Sequence, residues 1–177
     1  MKKILLLTVG LILILGLWYW TEQKDYFISD YKDFSAYEML EFDSVSDPTM
    51  VYRSHIGEDK YRFPRQDVDK IKLFDNKPII GTLTSKTLNK DLNFEIIDFF
   101  NDSTNFDWGE TTWSLRESEY ILRFYNEDKI VGKIYLCLEG CGMTSTWPFT
   151  PNMKFGGLTN EGQKRLESIL ANKKNWD

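Results

Sequence analysis

The chain has 177 residues, 42% of them hydrophobic and 15% aromatic, with 22 basic side chains against 27 acidic ones. After an apolar N-terminal run, that length supports one domain, which can bury about two-thirds of its unfolded surface. The acidic balance disfavours nucleic acid and anionic lipid as partners of this domain, because like charges repel, and favours a basic protein or a cation.

Lys2 and Lys3 precede an apolar run from Ile4 to Trp20. At about 1.5 Å per residue the run reaches roughly 25 Å, near the lower limit for a bilayer. It closes on Trp18, Tyr19 and Trp20, residue types that favour the headgroup zone. A removable signal peptide usually has a shorter apolar stretch followed by a small-residue site, whereas the first alanine here is Ala36 and Gly16 is matched at the relevant offset by bulky Trp18. Residues 1–20 are therefore expected to be a retained signal-anchor rather than a cleaved signal peptide, and either exports the rest of the chain. The lysines lie before the run and the first charges after it are mostly acidic (Glu22, Lys24, Asp25, Asp30). The positive-inside rule then leaves the N-terminus in the cytoplasm and puts the C-terminal domain outside the cytoplasmic membrane, periplasmic or extracellular, or secreted if the segment is cleaved. All 27 acids lie beyond the run but only 20 of the 22 basic residues do, so the exported part carries −7.

Residues 21–48 form a juxtamembrane segment, in which Phe27, Tyr31, Phe34, Tyr37 and Leu40 recur at helical spacing. Ser35 with Glu38 offers a later helix start. The segment carries acids rather than lysines, which favours packing onto the domain over lying on the bilayer. Residues 49–177 are expected to be an exported, strand-rich α+β domain with an internal helix, a β-hairpin and a C-terminal amphipathic helix. Abundant aromatics and only two alanines, Ala36 and Ala171, suit sheets better than helical bundles. Short apolar runs at Met50–Tyr52, Tyr61–Phe63, Ile71–Phe74 and Ile79–Leu83 read as strands. Asn89 is a cap for a helix facing inward through Leu92, Ile96, Phe99 and Phe100. Tyr120–Tyr125 and Ile130–Leu138 alternate about a turn at 126–128 and predict the hairpin. Asn160 with Gln163 reads as a capping box for a last helix that buries Leu166, Ile169 and Leu170.

Cys137 and Cys141 are the only cysteines. Residues four apart in a strand are about 13 Å from each other, beyond the roughly 7 Å a disulfide allows. The chain must therefore turn for them to bond, and Gly140 and Gly142 permit it. In an exported domain the oxidised pair is the expected state. A thiol- or metal-dependent site with Met143 as a third, soft ligand is the alternative.

No catalytic residue, cofactor motif or metal-ligand set stands out. The one histidine, His55, has neighbours Ser54 and Gly57 that do not make a nucleophile elbow. Glu117 and Glu119 read as a solvent-exposed pair on one face rather than paired catalytic carboxylates. Gly156-Gly157 reads as a tight turn in preference to an anion-binding nest. The candidate partner-binding residues are Phe106, Asp107, Trp108, Glu110 and Trp113, aromatics among acids in one loop, with Trp147 and Phe149 in a second, proline-flanked loop that would lie beside it. The C-x-x-x-C hairpin, the stretch from Asn152 to Leu158 and the final helix resemble the build of small exported bacterial proteins, a resemblance that implies no activity. The expected function is a noncatalytic, membrane-tethered domain binding a protein, basic by charge, as an inhibitor or immunity-type protein would. The rival classes are the Cys137–Cys141 enzyme or metal carrier and a structural subunit of an envelope complex.

Overall fold

The computed structural model describes residues 2–23, 56–77, 80–107, 117–148, 150–153, 156–172, 174 and 176. Among them the fold is α+β. Helix α1 (Lys2–Gln23) comes first. Strand β1 (Lys70–Asp75), the single turn α2 (Ile80–Leu83), β2 (Lys86–Thr87), helix α3 (Asn93–Asn101) and β3 (Phe106–Asp107) come next. Then come β4 (Tyr120–Asn126), β5 (Lys129–Cys137), β6 (Met143–Trp147), β7 (Gly157–Leu158) and helix α4 (Asn160–Ala171). The strands form one antiparallel sheet in the order β2-β1-β4-β5-β6-β7-β3.

Cross-strand partners share a face of the sheet, so the register sorts the side chains into two layers. Ile71 opposes Phe124, Leu73 opposes Leu122, and Leu122 opposes Ile134. This face packs on Ile96, Phe99 and Phe100 of α3 and Leu166 and Ile169 of α4, which together make the main core. Phe63 meets Phe124 edge-on at 4.9 Å between centroids and Phe99 meets Phe100 at 5.1 Å, contacts worth about 0.5–1.5 kcal/mol each beyond area burial. The opposite face carries the smaller buried cluster of Phe74, Ile121 and Tyr135.

The predicted hairpin is present as β4–β5. Asn126 pairs with Lys129 across a two-residue turn in which Glu127 (φ 48°) and Asp128 (φ 65°) are both left-handed, the backbone of a type I′ turn. The Glu127 N–H donates to Asp69 Oδ2 at 3.0 Å and Lys70 Nζ donates to Asp128 Oδ1 at 2.6 Å. That bond holds the Asp128 carboxyl below its ordinary value and raises Lys70 above its own.

Several expectations are corrected. Tyr61–Phe63 is not a strand. A 3₁₀ turn at Asp59–Tyr61 leads into Phe63, whose backbone N–H donates to Asn101 Oδ1 at 2.8 Å and whose carbonyl accepts from Asn101 Nδ2. One side-chain amide thus takes both backbone groups that a strand neighbour would have taken, and Pro64 has no N–H to continue a ladder. Within the run expected as a strand, Ile80–Leu83 forms the helical turn α2, in which Gly81 packs against the Asp75 carbonyl with no room for a Cβ. A short apolar run does not distinguish strand from helix by periodicity. Asn89 caps a 3₁₀ turn, Lys90–Leu92, ahead of α3. The C-terminal helix is capped by Thr159, whose hydroxyl accepts from the Gly162 N–H at 3.0 Å. Gln163 does not reach back to the cap and instead donates to the Leu138 carbonyl at 3.1 Å. The Met50–Tyr52 strand and the juxtamembrane helix from Phe27 to Leu40 lie outside the described residues.

Among the described residues no helix is both long and apolar enough to cross a membrane. Helix α1 runs for 22 residues of backbone, about 33 Å, but its described side chains stop at Trp18. Its apolar residues cover every face. The successive Ile4, Leu5, Leu6 and Leu7 are each at least 66% exposed, and Val9 and the run from Leu11 to Leu15 are exposed as well.

Candidate functional site

The sheet brings the cysteine turn and the edge strand β3 into one row. Cys137 opposes Met143, Met143 opposes Gly157, and Gly157 opposes Asp107. These residues share the face away from α3 and α4. Cys137 and Cys141 sit at disulfide distance, with Cα atoms 5.8 Å apart. The turn between them is possible because Gly140 (φ 95°) and Gly142 (φ 56°) adopt left-handed backbone, which costs glycine little and other residues about 1–2 kcal/mol.

Three other elements hold this turn. The Glu119 carboxylate, just before β4, accepts from the Leu138 and Glu139 N–H groups at 3.0 Å each. Gln163 of α4 binds the Leu138 carbonyl, and the Leu158 N–H of β7 donates to the Gly142 carbonyl at 2.8 Å. Glu119 is therefore a structural clamp, not half of a solvent-exposed carboxylate pair with Glu117. Nothing in linear spacing marks this role, since Glu119 and the amides it binds stand 19 and 20 residues apart. The surroundings are acidic. The phenol of neighbouring Tyr120 is pushed above its ordinary value, first by burial and then by the carboxylates of Asp75, Glu139 and Glu119.

The candidate binding residues divide. Phe106 is only 4% exposed and packs against Phe99 and Phe100 in the main core, so it anchors the edge strand instead of facing a partner. Asp107, next along the strand, faces the other way and is exposed. Trp108, Glu110, Trp113 and Phe149 lie outside the described residues. Trp147 is half-buried at the far end of β6, four residues and about 13 Å along the strand from the row containing Met143. It belongs to a different electrostatic neighbourhood. Lys72 opposes Arg123, Arg123 opposes Lys133, and Lys133 opposes Trp147 with its Nζ 5.9 Å from the ring centroid. The described ends of the two loops are thus an acidic corner around Asp107 and the cysteine turn and a cationic row ending on Trp147.

Gly156-Gly157, expected as a tight turn, divides: Gly157 opens strand β7, and Gly156 just before it is left-handed at φ 72°. The Gly156 N–H donates to the Met153 carbonyl and Thr144 approaches its backbone so closely that a Cβ has no room. Met143 is buried opposite Cys137, while His55 lies outside the described residues. Among the described residues no three His, Cys, Asp or Glu side chains come together as a metal site. A shallow cleft of about 580 Å³ lies elsewhere, floored by Pro64, Val68 and Ile97 and flanked by Arg62, Arg65, Asp59 and Asp67, so its charges balance. No family model, curated protein or solved structure matches the chain.

Proposed function

We propose that the protein is a noncatalytic domain tethered to the outer side of a bacterial cytoplasmic membrane by α1, where it binds a basic protein. The observation that carries the tether is the exposure of apolar side chains on every face of α1, because a helix apolar all round needs an apolar medium or a core to enclose it. The acidic corner supports the partner's chemistry. Asp107 and Glu139 are both exposed there, and the chain beyond Asp107 carries Glu110 among the tryptophans of the same loop. Complementary charge of this kind accelerates association and selects partners more than it deepens affinity. An inhibitor or immunity-type protein is one form of this reading.

The test is capture from chemically crosslinked membranes with the full chain as bait. The doubly reversed variant Asp107→Lys with Glu139→Lys should lose capture of a basic partner while its thermal stability stays close to that of the parent, and added salt should weaken capture by the parent. Capture that is unchanged by both the reversal and salt would discard the acidic corner as the binding surface.

A further inference from the structure

The turn between β5 and β6 presents its two sulfur-bearing residues unequally. Cys137 closes β5 and is 5% exposed. Cys141 is half-buried and comes after Glu139 and Gly140, both exposed. A side chain added at Gly140 would meet no atom within 4 Å, so the approach beside Cys141 is open. The shape of the turn does not depend on the sulfurs alone, because Glu119, Gln163 and Leu158 hold its amides and carbonyls from three sides. Cys141 Sγ also lies 3.3 Å from the Cys137 carbonyl oxygen, an acceptor in reach of an S–H once the sulfurs part.

We propose that Cys141 is a thiol–disulfide exchange site with Cys137 as its buried resolving thiol, and that the site selects cationic over anionic thiols. In the step itself, an external thiol gives its proton to solvent and its thiolate attacks Cys141 Sγ in line with the S–S bond. The new S–S bond joins the external sulfur to Cys141, the old one breaks, and Cys137 leaves as a thiolate that takes up a proton. In the reverse direction the Cys137 thiolate attacks Cys141 of the mixed disulfide and releases the external thiol. Full reduction needs a second external thiol, which attacks the first external sulfur, leaves with it as a disulfide and frees Cys141.

Two features of the site set the selectivity. Attack at the buried sulfur is hindered by β5 and its neighbours, so the accessible sulfur is the electrophile. The carboxylate of Glu119 binds the Leu138 and Glu139 amides of the turn, and Glu139 is exposed two residues before Cys141. Their field repels an approaching thiolate that bears a further negative group and attracts one that bears an ammonium. The natural counterpart would be a thiol flanked by lysine or arginine.

The experiment uses the full chain, oxidised and purified in neutral detergent at low salt. It is exposed separately to cysteamine and to 2-mercaptoethanesulfonate at equal thiolate concentration, quenched with acid, and mapped by peptide mass spectrometry. The adduct should form on Cys141, and cysteamine should react roughly three- to fivefold faster, an advantage that shrinks in 1 M salt and in Glu139→Gln. With cystamine as the disulfide reagent, Cys137→Ser should form a lasting adduct on Cys141, whereas Cys141→Ser should react at Cys137 about tenfold or more slowly. An adduct on Cys137 of the parent chain, equal reactivity of the two variants, no adduct at all, or two free thiols in the chain as isolated from an oxidising compartment would each overturn the exchange site. Equal rates for the two small thiols would overturn its charge selectivity. The parent-chain mapping stands whether or not either variant folds.

Discussion

Glu127 holds left-handed backbone at φ 48° in the β4–β5 turn without the side chain that best tolerates it. The conformation is imposed from outside, since the Glu127 N–H is bound by Asp69 and the next residue's carboxylate is bound by Lys70. Both contacts use atoms other than the Glu127 side chain. Glu127→Asn should therefore keep them while lowering the backbone cost, because asparagine visits this region readily. Chemical denaturation should show a gain of about 0.5–1 kcal/mol with an unchanged denaturant slope. A loss of stability would mean that the Glu127 side chain contributes more than its backbone strain costs. Gly156 is the opposite case. Its φ of 72° and the closeness of Thr144 leave no compatible side chain, so Gly156→Ala should destabilise by about 2 kcal/mol or more by the same measurement.

Helix α4 shows why element boundaries depend on their neighbours. Both Thr159 and Asn160 are good caps by residue type, and a glutamine three positions after Asn160 makes the second the natural reading. The fold selects Thr159 because β7 delivers the chain beside Asn105, whose carbonyl accepts from both the Thr159 N–H at 3.0 Å and its hydroxyl at 3.3 Å. Gly162 then packs against the Asn105 backbone, where a Cβ would not fit. Gln163 turns away to the cysteine turn. Thr159→Ala should cost about 1 kcal/mol in thermal or chemical unfolding, while Asn160→Ala, at an exposed first-turn position, should stay within about 0.5 kcal/mol of the parent. The reverse ranking would move the cap back to Asn160.

For the whole molecule, the antiparallel sheet carries helices on one face, and on the other it separates an acidic corner from a cationic row. Helix α1 stands apart from this layering, since none of its described residues belongs to either core cluster. If α1 is a retained anchor, full-length protein should stay with membranes through alkaline carbonate washing, with Met1 or Lys2 still at its N-terminus by mass spectrometry, and removal of residues 2–23 should release it. A soluble form beginning between Trp20 and Asp30 would make the segment a cleaved signal instead.

Much of the architecture was legible in the sequence because it rests on local periodicity. The alternation through Tyr120–Tyr125 and Ile130–Leu138 required a hairpin, the spacing of Leu92, Ile96, Phe99 and Phe100 required a helix with one buried face, and Gly140 and Gly142 between and beside the cysteines allowed a turn that closes the gap between them. What linear order does not carry is which distant groups meet. The pairing of Phe63 with the Asn101 amide, the clamp of Glu119 on the cysteine turn and the choice of Thr159 as cap each join backbone groups to partners that only the folded sheet supplies. Composition likewise marked Phe106, Asp107 and Trp147 as one aromatic and acidic surface. Strand parity turned Phe106 inward and Asp107 outward, and register placed Trp147 at the end of a row of cations, because neighbouring residues on a strand face opposite ways and cross-strand partners are fixed only when the sheet assembles.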